Sequence, residues 1–304
     1  MSHSGVMPMI QARSRNFHRF YDINGWCFVL ASLTLVLLFM IYPILNSLWL
    51  SLHSGKGVIV QFVGFGNITR LMNDQVFITA LTNTLIFLIV QVPLMILLSL
   101  ATASCLNSPN VRFRSFFRMA IFLPCVTSLV AYSILFKSMF GYDGIVNSAL
   151  MTIGLIEHPI AWLTDPFWSK VTIILAITWR WTGYNMIFYL AAMQNIDKSI
   201  YEAAKLEGVS PVQTFFHITV PLLKPVILFT SVMSTIGTLQ LFDEVMNITN
   251  GGPANATLTL SMYIYNLSFK FVPNFGYAAT VSYVIVFFAA VLALVQFKFV
   301  QDKK

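Results

Sequence analysis

Six apolar runs, nearly free of charge, constrain this chain more than any other feature. They extend from Trp26 to Leu48, Ala80 to Leu106, Met119 to Phe140, Val171 to Met193, Val220 to Leu241 and Tyr277 to Val300. Each is about 20 residues long, the length of helix that crosses the ~30 Å hydrocarbon layer of a bilayer. In lipid no water satisfies the peptide groups, so a crossing segment is a helix or a strand of a closed barrel. These runs are continuous and do not alternate as barrel strands do, which selects helices. Charged residues make up 10% of the chain and hydrophobic ones 57%. A soluble domain carries about 25% charged residues to cover its surface. The expected fold is therefore an all-α membrane protein with six transmembrane helices.

The basic residues orient it. Arg13, Arg15 and Arg19 precede the first run, and Arg112, Arg114 and Arg118 lie between the second and third. Lys198, Lys205 and Lys224 lie between the fourth and fifth, and Lys298, Lys303 and Lys304 close the chain. The opposite connections hold Lys56, Arg70, Lys137, Lys170 and Lys270. The positive-inside rule then places both termini in the cytoplasm. The net charge of +7 reports topology and not nucleic acid binding. The first run is too long for a signal peptide and lacks a small-residue cleavage site. The chain divides into a cytoplasmic arm (1–25), a transmembrane domain (26–300) with a cytoplasmic loop at 194–219, and a short tail (301–304). Cys27, Cys105 and Cys125 fall in apolar runs without ligand spacing and read as small buried hydrophobes. A short interfacial helix is expected after Gly64, Gly66 and Asn67 in the first outer loop.

The loop NIDKSIYEAAKLEGVSPVQTFFHITVPLLKP carries the most information. Ser199 followed by Glu202 reads as a capping box that opens a helix. Ala203, Ala204 and Leu206 continue it, and Gly208 permits the positive φ that ends it. Ser210, Pro211 and Gln213 repeat the start signal. The pattern predicts a helix, a glycine corner and a second helix. Ala203 and Ala204 leave room for another protein's backbone; a plain elbow joining two spans is the alternative.

Glu202-Ala203-Ala204, Gly208 and, beyond, Ile218-x-Val220-Pro221 resemble the EAA loop of binding-protein-dependent ABC importer permeases. Val220 and Glu207 stand where that family usually has Leu and often has Asp. WRWTGYNMIFYLAAMQNI, TNGGP, FGYAATVSY, FVGFGNI and LTNTLIF are similar to carbohydrate-type members, the maltose, lactose and glycerol-phosphate permease group. The resemblance implies the ABC importer permease fold in a bacterial or archaeal cytoplasmic (inner) membrane. It implies a coupling helix seated in an ATPase cleft, with Glu202, Ala203, Ala204, Gly208, Ser210, Pro211 and Phe215 in contact or shaping the loop. The implied partners are a second, homologous permease, two ATP-binding-cassette ATPases and an extracytoplasmic solute-binding protein that delivers a sugar.

No G-x-x-x-x-G-K-[ST] loop occurs, and Gly55-Lys56-Gly57 lacks its spacing. ATP and Mg are therefore expected on the partner subunits, with no cofactor on this chain. His3, His18, His53, His158 and His217 are scattered, no metal site is expected, and no nucleophile–base pair points to an enzyme. Arg180 lies inside the fourth run, where an ionisable group is a functional candidate by default; satisfying carbonyls within the bundle is the competing role. Trp179, Gly183 and Tyr184 near it, with Ser234, Thr238 and Gln240 on the fifth run, offer the aromatic faces and hydrogen-bonding groups that suit a sugar. Close helix packing explains Ser, Thr and Gly equally well. Asp243 and Glu244 read as an outer gate, a contact for the binding protein, or a solvated loop start. The rival functions are a permease for a non-sugar or anionic solute, and a stand-alone secondary transporter. The latter is expected to show repeats and intramembrane carboxylates.

Overall fold

A computed structural model describes residues 25–26, 28–55, 61–108 and 110–301. Most of the N-terminal arm, with Arg13, Arg15, Arg19, His3 and His18, lies outside these residues, as do Cys27, Lys56, Lys303 and Lys304. The described chain is mostly helical. Helix α1 (Phe28–Ser51) lies on the periphery with none of its side chains buried. A two-residue β-pair (His53–Ser54 with Gln61–Phe62) leads to α2 (Gly66–Met72), the expected short helix of the first loop, and to α3 (Gln75–Asn107).

The third apolar run is not one helix. It forms α4 (Arg114–Val126) and α5 (Leu129–Met139), which meet at 101°. Pro124 has no N–H to extend the ladder, and Thr127 and Ser128 are extended. The Thr127 hydroxyl donates to the Pro124 carbonyl at 2.7 Å, satisfying an acceptor that the break exposes. A short α6 (Ile145–Thr152) follows, then α7 (Pro166–Gln194). Asp165 caps α7 by accepting from the backbone N–H groups of Phe167 and Trp168, so it starts five residues before the expected Val171. Helix α8 (Lys198–Leu206) and α9 (Pro211–Leu222) precede α10 (Lys224–Leu239), and α9 and α10 meet at 73° just ahead of Pro225. The fifth run is thus bent as well. The segment after α10 carries α11 (Leu260–Tyr265), and α12 (Phe275–Gln301) ends the described chain.

By length and apolar composition α1, α3 and α12 each suffice to cross a membrane, and the two bent pairs raise the number to five. Helix α7 is continuous over 29 residues, but the polar stretch from Trp179 to Asn185 interrupts its apolar run.

Two apolar clusters hold the bundle. One packs Phe77, Phe87, Tyr132, Ile173, Leu239 and Tyr277 at one end of α3 and α7. The other packs Leu100, Ala103, Met186, Tyr189, Met193 and Leu223 at the other end. Asparagines staple the loops to this frame. The Asn83 amide donates to the carbonyls of Asn255 (2.9 Å) and Leu258 (3.0 Å). Asn67 donates to those of Ser51 and His53, both at 2.8 Å. Cys105 is exposed and Cys125 half-buried, so the expectation of buried cysteines fails for both.

Candidate functional site

Between the two apolar clusters lies a cavity of about 370 Å³. Its walls follow helical periodicity. From α7 come Ile177, Arg180, Trp181, Tyr184 and Asn185, at spacings of three and four that share one face. Helix α10 gives Met233, Ser234, Gly237 and Thr238, and α3 gives Gln91 and Met95 one turn apart. Gln240 to Glu244 close one side as the chain leaves α10. Sequence reasoning placed Arg180, Tyr184, Ser234, Thr238 and Gln240 here, and all five line the cavity. Trp179 and Gly183 do not. Trp179 stacks on Tyr132 with ring centroids 5.9 Å apart. Gly183 lies against α4, where an added Cβ would come within 1.9 Å of the Ile121 carbonyl oxygen.

Gln91 is the important addition, and Glu244, read from sequence as a gate, a contact or a loop start, joins it on the cavity wall. The Thr238 hydroxyl lies 2.9 Å from Gln91 Oε1, tying α10 to α3 at the cavity wall. Arg180 is 7% exposed, and its Nε and Nη1 have no hydrogen-bond partner. Its guanidinium carbon sits 5.3 Å from the Tyr132 ring and 5.5 Å from that of Trp181. These aromatic faces offset part of the buried charge but leave the donors free. Glu244 is buried and not part of a solvated loop start, while Asp243 beside it is exposed. Burial pushes the Glu244 carboxyl above its usual range, and the Arg180 charge pulls it the other way. Among the described residues, no group of three or more His, Cys, Asp or Glu could hold a metal ion.

The second candidate region is the loop at 194–219. Its first helix starts earlier than expected. Asp197, not Ser199, is the cap, accepting from the Ser199 N–H at 2.9 Å, and this bond lowers the Asp197 pKa. Asp wins because it sits one residue before the first helical position, where its carboxylate reaches the free N–H groups. Gly208 has φ +72°. Ser210 and Gln213 form the expected reciprocal box, with Pro211 at the first helical position. Glu202 and Ala203 are exposed, whereas Ala204 is buried in its own chain and Phe215 half-buried. The tip is apolar instead: Leu206 is 90% exposed, with Val212 and Phe216 also open.

Residues 95–301 match the family model described as binding-protein-dependent transport system inner membrane component. The chain belongs to this permease family. It is 63% identical to the lactose transport system permease protein LacF of Rhizobium radiobacter, over 94% of this chain and 97% of the relative. It is 35% identical to the arabinooligosaccharides transport system permease protein AraP of Bacillus subtilis, over 86% and 83%. Among solved structures, the permease fold resembles a chain of a bacterial alginate ABC transporter in complex with an alginate pentasaccharide-bound periplasmic protein. There the TM-score is 0.74 at 26% identity, covering 94% of both chains. The resemblance read from the EAA loop is borne out.

Proposed function

We propose that this chain is the permease subunit of an ATP-driven sugar importer and forms half of the translocation pathway. The observation that carries this reading is the polar, aromatic cavity held between α3, α7 and α10 in a member of this family. Relatives named for lactose and arabinooligosaccharide transport support the sugar class. On this reading each bent pair and α7 cross once, for six spans, and the distribution of basic residues puts both termini in the cytoplasm. That arrangement places the 194–219 loop where an ATPase reaches it. A second permease completes the pathway, two ATPases bind ATP and Mg, and an extracytoplasmic solute-binding protein delivers the sugar. The membrane is the bacterial inner membrane. Exposed Leu206, Val212 and Phe216 form an apolar tip that suits a protein cleft. For ATP to drive transport, the ATPase pair must bind two permease states with different affinity.

Labelled-solute uptake tests the reading. Cells lacking the gene are compared with cells complemented by it, across lactose, arabinooligosaccharides, uronic-acid oligomers and glycerol phosphate. Loss of uptake of a sugar, restored by the gene, is expected. Unchanged uptake of every sugar overturns the substrate class. An anionic solute is the second reading, favoured by the unpartnered Arg180 donors.

A further inference from the structure

Arg180 taken alone would make an anion site, being buried, cationic and short of acceptors. The same cavity carries the opposite charge as well. Glu244 is buried on its wall, and Asp243 stands at the exposed side of the same turn. We propose that Glu244, assisted by Asp243, sets the charge selectivity of the cavity, so that it accepts uncharged sugars and turns away acidic ones of equal size. The inference rests on the sugar-importer reading above.

The chemistry follows from what each solute brings. A sugar hydroxyl both donates and accepts. Neighbouring hydroxyls can therefore fill the free N–H groups of Arg180 and donate to Glu244 at once. A uronate carboxylate only accepts. It satisfies Arg180 but meets like charge at Glu244 and Asp243, in a site where burial weakens solvent screening. Selectivity thus arises from repulsion of the wrong solute as much as attraction of the right one. Burial of Glu244 and the pull of Arg180 act in opposite directions on its carboxyl. The Arg180 charge favours the anion, and burial, the larger effect, opposes it.

The test uses the assembled transporter in lipid nanodiscs without the solute-binding protein, whose own selectivity would otherwise intervene. Labelled lactose is bound, then displaced by unlabelled lactose or by β-glucuronyl-1,4-glucose, a disaccharide acid of similar size. Wild type is expected to prefer lactose. Glu244→Gln should shift the acid-to-neutral affinity ratio toward the acid by about tenfold. Asp243→Asn, exposed and so tolerant of change, should shift it the same way by less. Arg180→Gln should weaken both solutes and shift the ratio away from the acid. A structural lesion would not move the ratio in opposite directions. A ratio unchanged in both Glu244→Gln and Asp243→Asn, or a wild type without preference, overturns the proposal and leaves the sugar reading standing. A wild-type complex that binds neither sugar, together with cells that show no sugar uptake, overturns both.

Discussion

Replacing Gly183 by alanine isolates what the contact between α4 and α7 is worth. The added Cβ would lie 1.9 Å from the Ile121 carbonyl oxygen and 2.6 Å from its carbon, both backbone atoms that cannot rotate away. Restoring ordinary contact requires the two helices to part by roughly 1.5 Å. Overpacking of this kind costs about 1–3 kcal/mol. Gly237 on α10 supplies the comparison, because a Cβ there meets nothing within 4 Å. Gly237→Ala should retain the gain of about 1 kcal/mol that alanine brings to a helix interior. The two alanines therefore pull in opposite directions. At about 2–4 °C per kcal/mol, thermal unfolding of the detergent-solubilised complex should separate them by several degrees, with wild type between. A Gly183→Ala protein as stable as Gly237→Ala would refute the close approach. Altered solute affinity in that stable variant would return Gly183 to the pathway role read from sequence.

Asn83→Ala leaves the carbonyls of Asn255 and Leu258 without their donor, at about 1–3 kcal/mol for a buried orphan. The expected result is a lower unfolding temperature and new protease cleavage within 242–276. Asp74 accepts from the Tyr263 and Tyr277 hydroxyls. Burial raises its pKa, but these bonds and those from the Phe77 and Val76 N–H groups outweigh it and hold the pKa below the usual value. A depressed carboxylate pKa adds stability above the unfolded-state pKa and loses it as pH falls through the folded value. Asp74→Asn should thus destabilise the protein at neutral pH, and the gap to wild type should close below about pH 4. An unchanged gap in acid would refute the assignment. Gly208→Val places a branched side chain at φ +72° with no clash to confuse the reading; it costs about 1–2 kcal/mol. Assembly with loss of uptake is expected, and full uptake would remove the corner from the coupling path.

The helical segments were legible because lipid demands long apolar runs, and this demand leaves little freedom. Their breaks were not. Proline alone does not announce one: α3 runs straight through the position of Pro93 as a single 33-residue helix, whereas α4 ends two residues after Pro124. The difference lies downstream, where Thr127 and Ser128 turn extended and Thr127 returns a hydrogen bond to the freed carbonyl. Cap choice was also underdetermined, since Asp197 and Ser199 are both good caps within one turn. The cavity was half legible. Positions 177, 180, 181, 184 and 185 share a helix face, which sets Trp179 aside, whereas Gly183, three residues from Arg180, is set aside only by its contact with Ile121. Gln91 gave a signal as the one amide within an otherwise apolar turn. Glu244 stood out only as a gate, a contact or a loop start, because its burial depends on where α10 ends and how the chain folds back.

The stretches that carried the family resemblance have a shared physical role. Asn83 and Thr84 of LTNTLIF hold the segment after α10, the former through its amide and the latter by accepting from the Leu260 N–H at 3.1 Å. Asn67 of FVGFGNI ties α2 to the end of α1. In FGYAATVSY, Gly276 admits the His53 carbonyl to within 1.8 Å of where a Cβ would stand, and Tyr277 reaches Asp74. Thr249 of TNGGP lies 2.7 Å from the Thr257 hydroxyl. These residues connect loops to helices by satisfying buried carbonyls and permitting close approach. They therefore support the permease fold, which this chain shares with a chain of the alginate ABC transporter. The solute must be distinguished elsewhere, at side chains whose loss leaves the frame intact. Arg180, Asp243 and Glu244 meet that condition, since each lines the cavity and none staples a loop. Substitutions among them should move solute preference at small cost in stability, and substitutions among the staples should do the reverse.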